Sequence, residues 1–289
     1  MKSELTERIR VYGTMVRFSH TIFALPFALS AVVLACREHS LSFGNIFWIL
    51  TAMVGARSAA MGFNRIADAE IDAKNPRTSN REIPSGKLSS RSAILFVISF
   101  SAIFIFASAM LGKICFCLSF PVLAVLFAYS YTKRFTWLSH LYLGFAISLA
   151  PLGAWVAVAQ NFSWAILLLS LALMTYIAGF DILYACQDAE YDRKQGLFSI
   201  PARFGINYAL GIAKFLHLCS FCFFTGIWAA FDMNLIYLLT VLIIGCLFIL
   251  EHRLVKPNDL KHINLAFFHV NSMISVILFI GVLADELFR

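Results

Sequence analysis

The stretch Asn64–Gly86 reads NRIADAEIDAKNPRTSNREIPSG, and Asp181–Gly205 reads DILYACQDAEYDRKQGLFSIPARFG. Each contains DAExD, as Asp68-Ala-Glu-Ile-Asp72 and Asp188-Ala-Glu-Tyr-Asp192, and in each basic residues and an Ile-Pro follow (Ile83-Pro84, Ile200-Pro201). The offset of the two motifs predicts an internal duplication. Half of the 16 Asp and Glu of the chain fall in these two stretches. If a helix runs through Asp72, then Asn64, Asp68 and Asp72 drift only about 80° around its axis. If another runs through Asp192, then Asp181, Asp188 and Asp192 fall within about 40° of one another. Each helix then presents a ladder of carboxylates on one face, with Glu70 and Glu190 pointing elsewhere, into solvent.

Outward from the ladders the chain is oily. Hydrophobic residues make up 60% of the 289 residues and charged residues 13%, with 29 Phe and a mean hydropathy of +0.80. A soluble domain carries about 25% charged residues, so a soluble fold is excluded, as are disordered, collagen-like and disulfide-rich secreted classes. The expected fold is an all-α integral membrane bundle, a single domain over residues 1–289. Nine spans of about 20 residues are predicted: 18–36, 43–63, 92–111, 115–131, 138–158, 164–181, 208–230, 234–250 and 264–284. Of 23 Lys and Arg, only Arg37, Lys113 and Arg289 fall on one side and Arg57 inside a span. The rest share the side of the ladders. By the positive-inside rule that side and the N-terminus are cytoplasmic, in a bacterial inner membrane. The net charge of +7 sits in short loops facing anionic lipid, which argues for lipid contact and against nucleic acid. The first 17 residues do not read as a cleavable signal. The seven Cys lie in or at the ends of apolar spans; Cys219-x-x-Cys222 has no second pair and reads as packing.

Stacked carboxylates repel, and something must neutralise them. One possibility is pairing with the loop basics Arg77, Arg81, Arg193 and Arg203. Two ladders in matching places favour divalent cations instead. Oxygen-only ligands suit Mg²⁺, which is typically held by carboxylates plus substrate phosphates, and no His within either ladder speaks for zinc. The candidate metal ligands are Asn64, Asp68, Asp72, Asp181, Asp188 and Asp192. Arg77, Arg81, Lys133 and Arg134 are candidates for phosphate oxygens. A diphosphate with an oily tail would place its head at the rim and its tail among the helices. Departure of an allylic diphosphate, stabilised by Mg²⁺ and cationic side chains, leaves a carbocation that aromatic faces stabilise. Tyr129 and Tyr131 are candidates to line that site; the competing reading for each is an interfacial belt residue, and for Tyr131 it is the stronger one.

Taken together, these residues resemble a known family. Asn64-x-x-x-Asp68-x-x-x-Asp72 resembles the first aspartate-rich motif of the UbiA superfamily of intramembrane prenyltransferases, and Asp188-x-x-x-Asp192 the second. Tyr129-Ser-Tyr-Thr-Lys133-Arg134 resembles the family's Tyr/Lys-Arg stretch, and Pro84-Ser-Gly86 its basic loop. One departure is Arg65, where the family often has Asp, so that a possible metal ligand is missing. The wording of both motifs is similar to the 4-hydroxybenzoate polyprenyltransferase branch, including its futalosine-route menaquinone relatives. The resemblance implies a helical bundle related to soluble prenyl synthases. It also implies Mg²⁺-dependent transfer of a polyprenyl group from its diphosphate to the ring of an aromatic acid in quinone biosynthesis. 4-Hydroxybenzoate is the first acceptor to consider and a naphthoate-type acid the alternative. The acceptor's carboxylate needs a cation. Arg57, buried in a span and seven residues before Asn64, and Arg17 are candidates for acceptor or diphosphate contact; the competing reading of Arg57 is an internally paired or snorkelling Arg. His20 reads as interfacial. Readings from other classes are an ion-coupled transporter, whose site would lie near the midplane in broken helices, and a scaffold with salt-bridged loops.

Overall fold

The computed structural model describes residues 10–257 and 259–289. In chain order its α-helices are α1 (Leu25–Ala35), α2 (Phe43–Ala67), α3 (Ala69–Lys74), α4 (Ser90–Leu111), α5 (Lys113–Thr132), α6 (Ser139–Ala159), α7 (Trp164–Ala185), α8 (Ala189–Lys194), α9 (Ile200–Phe204), α10 (Ile206–Ala230), α11 (Leu235–Leu254) and α12 (Asn271–Leu287). The π-helical turn Leu265–Val270 leads into α12. No strand forms among the described residues; there is one isolated bridge, Lys256 to Asp259. Among the described residues, eight helices are long and apolar enough to cross a membrane, and up to nine if the broken pair Arg10–Phe23 and Leu25–Ala35 is one span. Span 18–36, expected to be continuous, is thus interrupted: a 3₁₀ segment covers Phe18–Phe23 and α1 restarts after Ala24 with Pro26 in its first turn. Proline is at home there because its missing N–H has no intrahelical acceptor.

The chain forms two compact units. In the first (Met1–Thr21 and Phe43–Tyr131), α2 packs along α4. Ala52, Ala59, Phe104, Ala107 and Leu123 make its core. The helices approach closely because Gly55 has no side chain: a Cβ there would stand 2.9 Å from the Phe104 amide nitrogen. The outer faces carry exposed Ile94, Leu95, Ile98 and Phe106. Without a hydrophobic driving force in lipid, small residues make the seams and apolar side chains face the tails.

The second unit (Ile22–Ser42 and Thr132–Arg289) is a ring. α7 packs on α6, α6 on α1, α1 on α12, α12 on α11, α11 on α10, and α10 back on α7. A Cβ on Gly144 of α6 would run into the Met174 carbonyl of α7, so this seam depends on glycine. Tyr176, Phe27, Phe224 and Tyr237 are buried in the ring. Their hydroxyls are satisfied by backbone: Tyr176 donates to the Asn271 carbonyl at 2.8 Å and Tyr237 to that of Phe224 at 3.0 Å. Eight apolar spans and lipid-facing Phe, Leu and Ile make this an integral membrane protein.

Candidate active site

Both motifs sit where a long helix breaks. α2 ends at Ala67, and Asp68 (φ −96°, ψ 4°) separates it from α3. α7 ends at Ala185, a 3₁₀ turn covers Cys186–Asp188, and Asp188 (φ −99°, ψ 2°) leads into α8. The two aspartates share one backbone conformation in two different units. At each aspartate the α-helix loosens locally, while Trp164–Lys194 still runs as one long helix, as expected of a helix continuing through Asp192. The departure is local, since Asp68 N–H still bonds the Asn64 carbonyl at 2.9 Å and Asp72 N–H that of Asp68 at 2.8 Å. Glu70 and Glu190 are exposed, as the spacing predicts.

In the first unit, Asn64 Nδ2 donates to Asp68 Oδ2 at 2.8 Å and reaches Ser130 Oγ at 3.4 Å. Asp72 is buried, with Arg81 Nη1 2.7 Å from Oδ1 and 2.6 Å from Oδ2. Of the loop basics considered as partners for the carboxylates, Arg81 is thus one. The NPRT segment brings it there. The Asn75 and Thr78 side chains build the turn, Asn75 Oδ1 accepting from Arg77 N–H at 2.9 Å and Thr78 Oγ1 donating to the Asp72 carbonyl at 3.2 Å. Arg57 Nη2 donates to the Arg17 carbonyl at 3.2 Å, while its Nε is buried without a hydrogen-bond partner. Arg17 itself has φ +46°, a conformation uncommon outside glycine. It lines a cavity of about 670 Å³ with Arg10, His20, Arg65, Arg77 and Arg81, Glu82 being the one acid in the wall. Tyr129 is half-buried at the end of α5, and Tyr131 is exposed with its ring edge toward Phe63.

In the second unit, Asp188 and Asp192 are both buried. Lys133, Ser199, Asp188 and His140 are the electrostatic neighbours of the Asp192 carboxylate. The Lys133 carbonyl accepts from Phe198 N–H at 2.7 Å, tying the α5–α6 turn to the chain after the motif. Arg134 is exposed. Asp192 Oδ2 is buried with no hydrogen-bond partner. Such an orphaned carboxylate oxygen fits a hard cation. Asp181 has a partner that the sequence reading missed: His140 Nδ1 lies 2.6 Å from its Oδ2, and His140 Nε2 accepts from Ile200 N–H at 3.4 Å. Arg193 turns away from the acids and donates to the Ala202 carbonyl at 3.2 Å. Among the described residues no three His, Cys, Asp or Glu converge as a ready-made metal cage. Mg²⁺ does not require one, since it is commonly bound by one or two carboxylates and completed by water and substrate phosphate.

His140 and Ser199 are the residues that spacing did not single out. A histidine buried in an apolar span is itself a signal, and it was there to be used.

The UbiA prenyltransferase family model matches residues 24–273. A 4-hydroxybenzoate octaprenyltransferase of Vibrio campbellii is 27% identical over 281 residues, 96% of this chain and 98% of that one. Its counterpart in Psychromonas ingrahamii is 30% identical over 225 residues, 78% of each chain. Among solved structures, the apo UbiA homolog from Aeropyrum pernix K1 superposes with a TM-score of 0.84 at 31% identity, covering 92% of this chain and 98% of that one. The UbiA homolog from Archaeoglobus fulgidus bound to GPP and Mg²⁺ shares the fold, with a TM-score of 0.71 at 19% identity over 95% and 99% of the chains. Broken helices carrying paired aspartates, a helical membrane architecture and a family match over most of the length converge on one assignment: this chain belongs to the UbiA prenyltransferase family.

Proposed function

We propose that the protein transfers a polyprenyl group from an allylic polyprenyl diphosphate to the ring of an aromatic acid in quinone biosynthesis. 4-Hydroxybenzoate is the first acceptor and a naphthoate-type acid the alternative. The motifs and the N-terminus face the cytoplasm of a bacterial inner membrane. The observation that carries this reading is the pair of matched helix breaks. Asp68 and Asp188 adopt the same backbone conformation in separate units, each followed four residues later by a buried aspartate, Asp72 or Asp192. Names of relatives support the acceptor, since those at 27–30% identity are called 4-hydroxybenzoate octaprenyltransferases.

The chemistry follows from the residue types. Asn64, Asp68 and Asp72 in the first unit, and Asp188 and Asp192 in the second, would hold Mg²⁺. Asp181, engaged by His140, is the remaining metal candidate. When bound, the metal would offset the negative charge that develops on the departing diphosphate. Arg77, Arg81, Lys133 and Arg134 take phosphate oxygens by charge-assisted hydrogen bonds. The C1–O bond breaks with its electron pair going to diphosphate, and Tyr129 lines the allylic cation. A ring carbon of the acceptor attacks C1, forms the new C–C bond and then loses its proton, which restores aromaticity. Arg17 or Arg57 holds the acceptor or the diphosphate. The family assignment leaves the transporter and scaffold readings without support.

The test is a product assay on purified protein in lipid nanodiscs. It supplies Mg²⁺ and a polyprenyl diphosphate with 4-hydroxybenzoate or a naphthoate acid, and reads the prenylated ring by mass spectrometry. An EDTA-sensitive product is expected, and the acceptor that reacts identifies the route. Diphosphate release without a prenylated ring retains the metal site and rejects the acceptor; neither product nor release from folded protein rejects the reading.

A further inference from the structure

Glu251 of α11 is wholly buried, and nothing in the transfer chemistry uses it. A carboxyl group inside a membrane helix is costly and marks function by default. Its Oε1 accepts from Asn271 Nδ2 at 2.9 Å. Its Oε2 has no hydrogen-bond partner and stands 3.5 Å from His217 Nδ1. The His217 ring is fixed in turn, its Nε2 donating to the Tyr176 carbonyl at 3.3 Å and its edge filling the space left by the missing Cβ of Gly179. One hydrogen bond does not repay the burial of an acid, so the use of Glu251 lies in what Asn271 does.

Asn271 directly follows the π-helical turn Leu265–Val270. Such turns are uncommon and gather at functional sites. The Asn271 side chain holds this one: besides Glu251, Nδ2 reaches the Ala266 and Phe267 carbonyls, each at 3.1 Å. The backbone carbonyl of Asn271 accepts from Tyr176 Oη at 2.8 Å and from Ser275 Oγ at 3.1 Å. Asn271 is therefore anchored through its backbone, and Glu251 orients its amide. The turn carries Phe267, whose ring lies on Tyr184 with centroids 4.1 Å apart and meets Phe180 edge-on at 5.2 Å. Phe23 packs against both Phe180 and Phe267. Phe180 immediately precedes Asp181, and Tyr184 stands four residues before Asp188. The turn thus seats an aromatic wall beside the second motif, where the oily chain behind a diphosphate would begin.

We propose that Glu251 is a positioning residue: through Asn271 it clamps the π turn and seats Phe267 on Tyr184 as a wall for the polyprenyl chain. The inference rests on the prenyl-transfer reading above and deepens it. Hydrogen exchange over residues 265–270, read by mass spectrometry in nanodiscs without substrate, compares wild type, E251Q and E251A. E251A is expected to exchange about tenfold faster there, while E251Q, whose amide oxygen still accepts from Asn271, matches wild type. In turnover, E251A and F267A each raise KM for the polyprenyl diphosphate about tenfold and leave KM for the aromatic acid unchanged, and the double variant is no worse than F267A alone. Unchanged exchange in E251A overturns the proposal. So do equal losses in E251Q and E251A, additive losses in the double variant, or a rise in KM for the acid alone. If E251A fails to fold, E251M, which fills the space without accepting a hydrogen bond, takes its place. The exchange measurement needs no substrate, so lost protection in E251A with no prenylated product from wild type would retain the clamp and reject the reaction.

Discussion

Asp72 and Asp192 hold the same place in the two motifs but are held differently. Both oxygens of Asp72 face Arg81 Nη1, while Asp192 keeps Oδ2 buried without a partner. An unpaired buried carboxylate oxygen is costly to retain unless something binds it. Replacing Asp68, Asp72, Asp188 or Asp192 by Ala is expected to lower kcat by about a hundredfold or more with the fold kept; steady-state kinetics beside thermal unfolding checks this, and near-normal turnover in two of the four would move the metal elsewhere. His140 calls for a different measurement. Its removal leaves Asp181 part-buried without the 2.6 Å contact, so H140A should lower the unfolding midpoint. H140N keeps a donor near the Nδ1 position and should recover much of it; equal loss in both variants would show that ring packing, not the hydrogen bond, matters. The aspartates were legible in the sequence because they repeat at one spacing. His140 and Asp181 lie 41 residues apart on different helices, and no local pattern joins them. Arg65 read as a missing ligand because its meaning lies in what surrounds it, the Met15 carbonyl and a cavity wall.

At the level of elements, hydrophobic length placed the spans well and said nothing of their interruptions. The run 18–36 is mostly apolar, yet the chain departs from the α-helix before Ala24 and restarts with Pro26 in the first turn. The breaks at Asp68 and Asp188 are equally silent, since their neighbours, Ala67 and Ala69 for the first and Gln187 and Ala189 for the second, are good helix formers. Only the tertiary structure decides that each helix stops there. Seams between helices were also invisible, because glycine in a membrane helix has several uses. Gly144 shows which one applies here, its missing Cβ being the space filled by the Met174 carbonyl. G144L is expected to separate α6 from α7 and to lower the unfolding midpoint well below that of G153L, whose glycine has no heavy atom within 4 Å of its would-be Cβ. Equal midpoints for the two variants, measured in the same detergent, would show that the seam tolerates a side chain.

For the molecule as a whole, the ring of the second unit joins distant parts of the sequence: α1 packs on α6 and on α12, and α12 on α11. Arg37, just after α1, meets the carboxylate of Glu286 and the carbonyl of Phe231, and Asp285 caps the start of α11 through the amides of Asn234 and Tyr237, each at 2.9 Å. Such closure has a bearing on biosynthesis. During translation α1 enters the bilayer among the earliest helices, before either neighbour exists. It must wait for α6, and its other flank stays open until α12 arrives. The growing chain therefore passes through a stage in which every other span is inserted and one wall is missing. A nascent chain stalled before residue 265 should be protease-sensitive in the α1–α2 connection, and release of the full chain should protect it. Quality control of this protein would then act at α12, whose absence distinguishes an unfinished ring from a closed one.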